Sequence, residues 1–304
     1  MRKDRLDAAG TAALTALAAL LAFNQVVIFW ENQGLQPVFF AGLRSALATV
    51  FVLIWLWARG RPPVYTPGTA RAGLFMGTIF AVEFLCLFLA LDLTTVSRTA
   101  VIFYSMPVWL ALMAHVGLPG ERLTAVRSLG LVLAFAGTAI AILDRDGAGG
   151  QASLAGDLCA LVAALGWAGT AYMARGSAMA RVGPEMQLLW MVAVSAPILI
   201  LAAPLFGPLV REFQPMHLFW LLFQGGVVVA GGFIAWLWLL SVYPAATVAS
   251  FSFLTPVLSM LFGWAILGEE LGPRLILSGA LVAAGIVLVN RRAAPVPART
   301  GPTR

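Results

Sequence analysis

Long apolar runs separated by short polar breaks dominate the chain. A helix needs about 20 mostly apolar residues to cross a membrane, and ten runs approach or exceed that length. They cover residues 11–30, 37–58, 72–92, 97–117, 125–143, 155–174, 186–205, 217–240, 244–267 and 273–290. The pattern therefore predicts an all-α polytopic membrane protein with ten transmembrane helices.

One stretch of this pattern occurs twice, at residues 97–142 and 246–290. Each copy has an apolar run with an internal proline, a Gly-Glu-x-Leu turn and a second apolar run; Pro107 and Pro256 lie 149 positions apart. Each half of the chain holds five runs, and an odd number requires the second half to enter the membrane upside down. An inverted repeat is typical of secondary transporters, whose site lies near the midplane between the halves.

These halves give the predicted domain organisation. The first five-helix repeat spans residues 1–149, the second, inverted repeat spans residues 150–292, and residues 293–304 form a cytoplasmic tail. With both termini on the cytoplasmic side, fourteen of the nineteen basic residues fall in cytoplasmic segments and four in outer loops. This bias agrees with the positive-inside rule, so we predict that both termini are cytoplasmic.

Composition supports the membrane assignment and limits the partners. The chain is 61% hydrophobic and 11% charged with a mean hydropathy of +0.92, whereas soluble domains are about half apolar and a quarter charged. The net charge of +6 would suit nucleic acid, but no basic cluster with interleaved aromatic residues accompanies it. We therefore expect the lipid bilayer and a small-molecule substrate as partners, and no nucleic acid.

Several motifs identify a family resemblance. The sequence reads Leu-Gln-Pro-Val-Phe-Phe-Ala-Gly-Leu-Arg at 35–44, Ala-Leu-Asp-Leu-Thr-Thr-Val-Ser at 90–97 and Gly-Glu-Arg-Leu at 120–123. Over residues 11–290 the chain resembles the EamA repeat of the drug/metabolite transporter superfamily, and within it the YddG-type aromatic amino acid exporters. One departure is that Arg44 has no counterpart in the second half.

The resemblance implies a function. It implies a secondary transporter that exports small neutral and aromatic amino acids across a bacterial inner membrane. We expect the protein to work by alternating access, as a monomer or homodimer. The alternative is export of other metabolites or drugs, such as purines or nucleotide sugars. Anionic substrates would need several basic side chains in the cavity, and Arg44 is the one arginine well inside a predicted span.

The two repeated prolines are candidate hinges. Pro107 and Pro256 lie inside the fourth and ninth apolar runs, and each removes one helical hydrogen bond and clashes with the carbonyl four residues earlier. In lipid, the freed carbonyls must find a partner or line a wet cavity. The symmetry of the pair favours hinged helices beside a central cavity over static kinks.

Two ionisable residues lie deep in predicted spans. Glu83 and Arg44 fall about 13 Å and about 12 Å below the outer ends of the third and second runs, at 1.5 Å per residue. An ionisable group inside the membrane is a functional candidate. One interpretation places Glu83 in the cavity, binding the substrate amine or a coupling proton; the other makes Glu83 and Arg44 a structural ion pair.

The remaining candidates are polar and aromatic residues in the spans. Asn24 and Gln25 interrupt the first run, and Ser250 and Ser252 precede Pro256; each could bind substrate or bond between helices. Tyr104, Trp167 and Trp236 lie in spans that line the cavity according to the family resemblance, where rings offer flat apolar walls and cation–π faces. Trp167 lies about 18 Å into its run, too deep for an interfacial position.

The sequence does not carry the motifs of an enzyme. It has no Gly-Lys-Ser/Thr P-loop, and neither a catalytic Ser/His/Asp set nor a metal-ligand cluster. Cys86 and Cys159 lie in apolar runs without metal-ligand spacing. We therefore expect a protein that is not an enzyme and uses neither a metal nor a cofactor.

Overall fold

The structure is a computed structural model that describes residues 7–118, 123–144, 152–243, 248 and 251–290, with the side chains of residues 237, 240 and 241 excepted. The described residues form twelve α-helices. Those of the N-terminal half are α1 (Ala8–Gly34), α2 (Pro37–Ala58), α3 (Ala70–Leu93), α4 (Val96–Phe103), α5 (Met106–Gly117) and α6 (Ala125–Leu143). Those of the C-terminal half are α7 (Leu154–Gly176), α8 (Pro184–Ala202), α9 (Pro215–Leu222), α10 (Gly232–Val242), α11 (Leu254–Leu267) and α12 (Pro273–Val289).

Helix starts follow the polar breaks in the sequence. The side chains of Asp7, Gln36, Thr95, Thr124 and Ser153 accept hydrogen bonds from backbone N–H groups in the first turns of α1, α2, α4, α6 and α7. These caps satisfy N–H groups that have no partner within the helix. Proline occupies the first turn of α2, α8, α9 and α12, where its missing N–H costs nothing.

The described residues contain candidate membrane-spanning helices of two lengths. Eight helical stretches are long and apolar enough to cross a membrane, among them Val96–Gly117 and Pro215–Trp236, which each join more than one helix. Phe251–Leu267 and Pro273–Val289 are apolar but shorter. The chain is therefore an all-helical, multi-pass membrane protein with eight long spans and two shorter apolar helices among its described residues.

Small residues allow close helix contacts between the halves. A Cβ atom added at Gly130 of α6 would lie 2.9 Å from the carbonyl oxygen of Gly285 on α12, and one added at Gly137 would lie 2.8 Å from the carbonyl oxygen of Ser278. The Ser278 hydroxyl donates to the carbonyl of Gly137 at 2.5 Å. The small residues of the repeated segment thus join the two halves of one chain, as small-residue motifs do in membrane helices.

Polar contacts between the halves concentrate at the end of the bundle where α6 finishes and α7 begins, which we call the linker end. Leu35 forms an antiparallel bridge with Val210, and the Arg211 guanidinium donates to both Asp92 carboxylate oxygens, at 2.6 and 2.9 Å. This hydrogen bonding to Asp92 is the main cause that raises the pKa of Arg211. These contacts hold the loop after α8 against the ends of α1 and α3.

Glu269 makes a further contact between the halves at the linker end. It belongs to the Gly-Glu-x-Leu turn after α11, and its carboxylate accepts hydrogen bonds from the backbone N–H groups of Val96 and Ser97 at 2.6 and 2.9 Å. The Ser97 hydroxyl donates to the same carboxylate. A carboxylate at a helix N-terminus is stabilised by the helix dipole as well as by these bonds. The turn of the second repeat therefore caps helix α4 of the first.

Arg98 is the most extensively bonded residue at the linker end. Its side chain is fully buried and pairs with Asp157 of α7 through Nε at 3.2 Å and Nη2 at 2.6 Å. Nη1 donates to the Asp144 carbonyl at 2.5 Å, and Nη2 donates to the Ala141 carbonyl at 2.6 Å. Arg98 therefore pins the end of α6 and the start of α7 to α4.

Replacing Arg98 with alanine should destabilise the protein strongly. Arg98→Ala leaves the buried Asp157 carboxylate without its counter-charge, and loss of one partner of a buried pair costs about 3–5 kcal/mol. The thermal unfolding temperature of the purified protein in detergent, together with its monodispersity, measures the effect. Arg274→Ala is the matched control. The Arg274 guanidinium also pairs with an acid, Asp144, but at 3.4 Å and with its side chain 69% exposed, so the loss of this pair should cost little. Equal unfolding temperatures for the two variants would contradict this role of Arg98.

Candidate functional site

Arg44 lies in the interior of the bundle, on α2. Its side chain is 4% exposed, and the guanidinium carbon lies 4.0 Å above the ring of Phe84 and 5.5 Å from the ring of Phe88, both on α3. Contact with an aromatic face stabilises a buried cation only in part. Its Nε atom has no hydrogen-bond partner among the described residues.

Glu83 lies on α3, one residue before Phe84. It is fully buried, and neither carboxylate oxygen has a hydrogen-bond partner in the described part of the chain. Helix α7 approaches it closely because residue 166 is glycine: a Cβ atom there would lie 2.8 Å from the Glu83 Cβ. The Thr170 hydroxyl, one turn further along α7, is beside the carboxylate and donates to the Trp167 carbonyl at 2.8 Å.

The two charges are close but not paired directly. Arg44 and Glu83 act on each other electrostatically, yet the Glu83 oxygens accept no hydrogen bond from Arg44 or from any other described residue. The two groups thus lie near each other without a direct hydrogen bond, and both interpretations from the sequence, a structural pair and a role in the cavity, stay predictions. The site therefore holds a guanidinium and a carboxyl group with unused bonding capacity near each other, between α2, α3 and α7.

A second group of polar side chains surrounds Tyr104. This residue is 5% exposed in the break between α4 and α5, and its hydroxyl lies beside the Gln25 amide of α1 and the Thr255 hydroxyl of α11. The Gln25 Oε1 and Asn24 Oδ1 atoms have no hydrogen-bond partner among the described residues. The group thus joins helices of both halves and leaves acceptors free in a buried position.

The aromatic candidates separate into different parts of the molecule. Trp167 is half-buried and packs against the main hydrophobic core on α7, near Glu83. Trp236 packs in another cluster, with Leu14 and Leu17 of α1 and with Tyr243. The structure therefore brings Trp167, but not Trp236, to the neighbourhood of Glu83.

The serine candidates and prolines lie around two helix breaks. We expected one helix with a hinge at Pro107 for the fourth span, but the span consists of two helices. Helix α4 ends at Phe103, and Pro107 lies in the first turn of α5. Pro256 lies in the first turn of α11, after a 3-10 turn at Phe251–Phe253 that contains half-buried Ser252. Ser250 lies outside the described residues. A proline is tolerated in a first turn because its missing N–H has no helical partner there.

One residue next to these candidates, Thr170, was missed from the sequence. It looks like an ordinary span residue, because a threonine can satisfy its hydroxyl on the backbone of its own helix. Thr255 was not missed, because it forms with Ser250 and Ser252 the polar run that precedes the repeated Pro256. Among the described residues no group of three His, Cys, Asp or Glu side chains could hold a metal ion.

The fold and the buried polar groups define a class of protein. Apolar helices that cross the membrane several times, with unpaired charged and amide groups enclosed between them, are the architecture of a membrane transporter. The model of the EamA-like transporter family matches residues 9–143 and again residues 154–291. The chain belongs to the EamA-like transporter family.

Relatives named as transporters agree with this assignment, and a solved structure has a similar fold. The chain is 24% identical over 260 residues to the uncharacterized transporter YoaV of Bacillus subtilis strain 168, covering 84% of this chain and 87% of that protein. It is 28% identical over 303 residues to the uncharacterized transporter YvbV of the same strain, covering 91% and 92%. A crystal structure aligns with a TM-score of 0.64 at 20% identity over 91% of this chain and 95% of that one, a likeness in fold.

Proposed function

We propose that the protein exports small neutral amino acids, aromatic ones included, across a bacterial inner membrane by alternating access. The observation that carries the proposal is that a basic and an acidic side chain, Arg44 and Glu83, are both buried and make no hydrogen bond to each other. The membership in a transporter family supports transport, and the chemistry of this pair supports the substrate class.

A zwitterion satisfies both charges at once. Burying an unpaired charged group costs several kcal/mol, and hydrogen bonds between charged partners are about twice as strong as neutral ones. The substrate carboxylate would bind the Arg44 guanidinium, and its ammonium group would bind the Glu83 carboxylate. Asn24 and Gln25 offer further acceptors, while Tyr104 and Trp167 supply apolar walls that tolerate side chains of different sizes.

The alternative substrates fit these residues less well. Nucleotide sugars carry several negative charges and need several basic partners, whereas Arg44 and Arg98 are the buried arginines among the described residues and Arg98 is already paired with Asp157. Purines lack the paired charges that Arg44 and Glu83 would complement. Both classes serve as comparison solutes in the experiments below.

The transport cycle would use the two inverted repeats as moving parts. We propose ten spans, because a 17-residue helix such as Phe251–Leu267 or Pro273–Val289 is about 25 Å long at 1.5 Å per residue, close to the hydrocarbon thickness of about 30 Å. The halves, residues 1–149 and 150–292, would exchange conformations around the site. Bending at the helix breaks near Pro107 and Pro256 would open one end at a time.

Substitution of the charged pair tests the substrate class. Glu83→Gln and Arg44→Gln should each lower counterflow of a labelled neutral amino acid in proteoliposomes at least tenfold, since each removes a charge partner worth about 1.5–3 kcal/mol. Glu212→Gln, an exposed carboxylate in the loop after α8, is the control and should behave as wild type. Normal counterflow by both variants would place the site elsewhere, and faster exchange of a nucleotide sugar or purine would make the substrate class wrong.

The Glu83→Gln variant also separates two roles for Glu83. If Glu83 carries a coupling proton instead of binding the ammonium group, Glu83→Gln should keep counterflow but lose its response to an imposed pH gradient. If Glu83 binds the ammonium group, counterflow itself should fall at every pH. Measuring counterflow and gradient-driven uptake on one preparation distinguishes these outcomes.

We also propose that both termini are cytoplasmic and that the linker end faces the outside. Single cysteines would be placed at Thr66, in the loop after α2, and at Glu212, in the loop after α8, with Cys86 and Cys159 replaced by alanine. In intact cells a membrane-impermeant maleimide should label the Glu212→Cys variant, and the Thr66→Cys variant only after the membrane is opened. Labelling of both from the same side would contradict the topology.

A further inference from the structure

The eighth apolar run contains an unusual helical segment. Between α9 and α10 the residues Phe223–Gly231, with the sequence Phe-Gln-Gly-Gly-Val-Val-Val-Ala-Gly, form a π-helix. π-Helical turns are rare, and they occur frequently at functional sites, because the wider turn changes the direction in which side chains point. The segment contains one polar side chain, that of Gln224.

The neighbours of Gln224 indicate where it lies. On one side, the ring of Phe223 lies 6.4 Å from the ring of Phe23 on α1. On the other side, Gly225 faces α2, since a Cβ atom there would lie 2.9 Å from the Leu47 Cβ. Gln224 lies between these two residues in the turn and is buried, which places it on the part of the segment that faces the space between α1 and α2.

That space borders the proposed substrate site. Arg44 lies one helical turn from Leu47 on α2, and Asn24 directly follows Phe23 on α1. Gln224 is fully buried, and neither its Nε2 nor its Oε1 atom has a hydrogen-bond partner among the described residues. Leaving a buried amide unpaired costs about 1–3 kcal/mol, a cost that a bound solute would remove.

We propose that Gln224 is a specificity-determining residue of the transport site, whose carboxamide hydrogen-bonds a neutral polar group on the substrate side chain. The inference rests on the proposed function and deepens it: Arg44 and Glu83 bind the charged groups, and Gln224 distinguishes polar from apolar side chains. A carboxamide offers two donors and one acceptor without net charge, so it favours hydroxyl and amide side chains. The π-helical turn holds the amide in that position.

Threonine and valine form a matched pair of probes, because they differ by a hydroxyl in place of a methyl group. For the wild-type protein the KM of threonine in proteoliposome exchange should be about three- to tenfold lower than that of valine, the range expected for one hydrogen bond. Gln224→Leu and Gln224→Met should raise the KM of threonine to that of valine and leave kcat unchanged. Gln33→Leu, an exposed glutamine at the end of α1, should keep the preference of the wild type.

The outcomes separate this inference from the proposed function. If wild-type protein shows equal KM values for threonine and valine, or if the Gln224 variants keep the wild-type preference, the role of Gln224 is wrong while amino acid transport stands. If the wild type exchanges a purine or nucleotide sugar and no amino acid, the proposed function is wrong. Gln224→Leu must then still raise the KM of that solute, and an unchanged KM would overturn the inference as well. The wild-type comparison needs no variant, so equal KM values overturn the role of Gln224 even if the substitutions prevent folding.

Discussion

The buried guanidinium of Arg98 is the interaction on which the arrangement of the two halves depends. An arginine taken out of water is costly unless its donors are satisfied, and here Nε and both terminal nitrogens have acceptors from Asp157, Asp144 and Ala141. Those acceptors belong to the end of α6 and the start of α7, so one side chain fixes the point at which the chain passes from one half to the other. The Glu269 cap on α4 lies at the same end.

Arg44 is also buried but lacks the acceptors that Arg98 has, and this difference is why we propose that Arg44 binds the substrate. Both arginines are buried in one protein and both have an acid nearby. Arg98 has a carboxylate and two carbonyls as acceptors, whereas the Arg44 Nε and both Glu83 oxygens have no hydrogen-bond partner among the described residues. The Arg44 guanidinium and the Glu83 carboxyl group therefore keep bonding capacity that a bound solute would satisfy, and this is the basis of the proposed substrate role.

Much of the architecture could be predicted from the sequence, because the period of apolar runs and the polar residues between them determine helices directly. Glu83 and Arg44 could be singled out because a charge inside a long apolar run is rare. The break at Tyr104 and Ser105 could not be placed, since Pro107 alone is compatible with a kink or with a new helix start. The burial of Arg98 and the π-helical turn at Gln224 depend on contacts between residues far apart in the chain, which local patterns do not contain.

Binding of a zwitterion between Arg44 and Glu83 is the central claim, and analogues lacking one charge test it most directly. Calorimetric titration of the purified protein would compare phenylalanine with phenethylamine, which lacks the carboxylate, and with 3-phenylpropionate, which lacks the ammonium group. The account predicts that phenylalanine binds at least about tenfold more tightly than either analogue, which corresponds to about 1.4 kcal/mol. Equal or tighter binding of either analogue would contradict it.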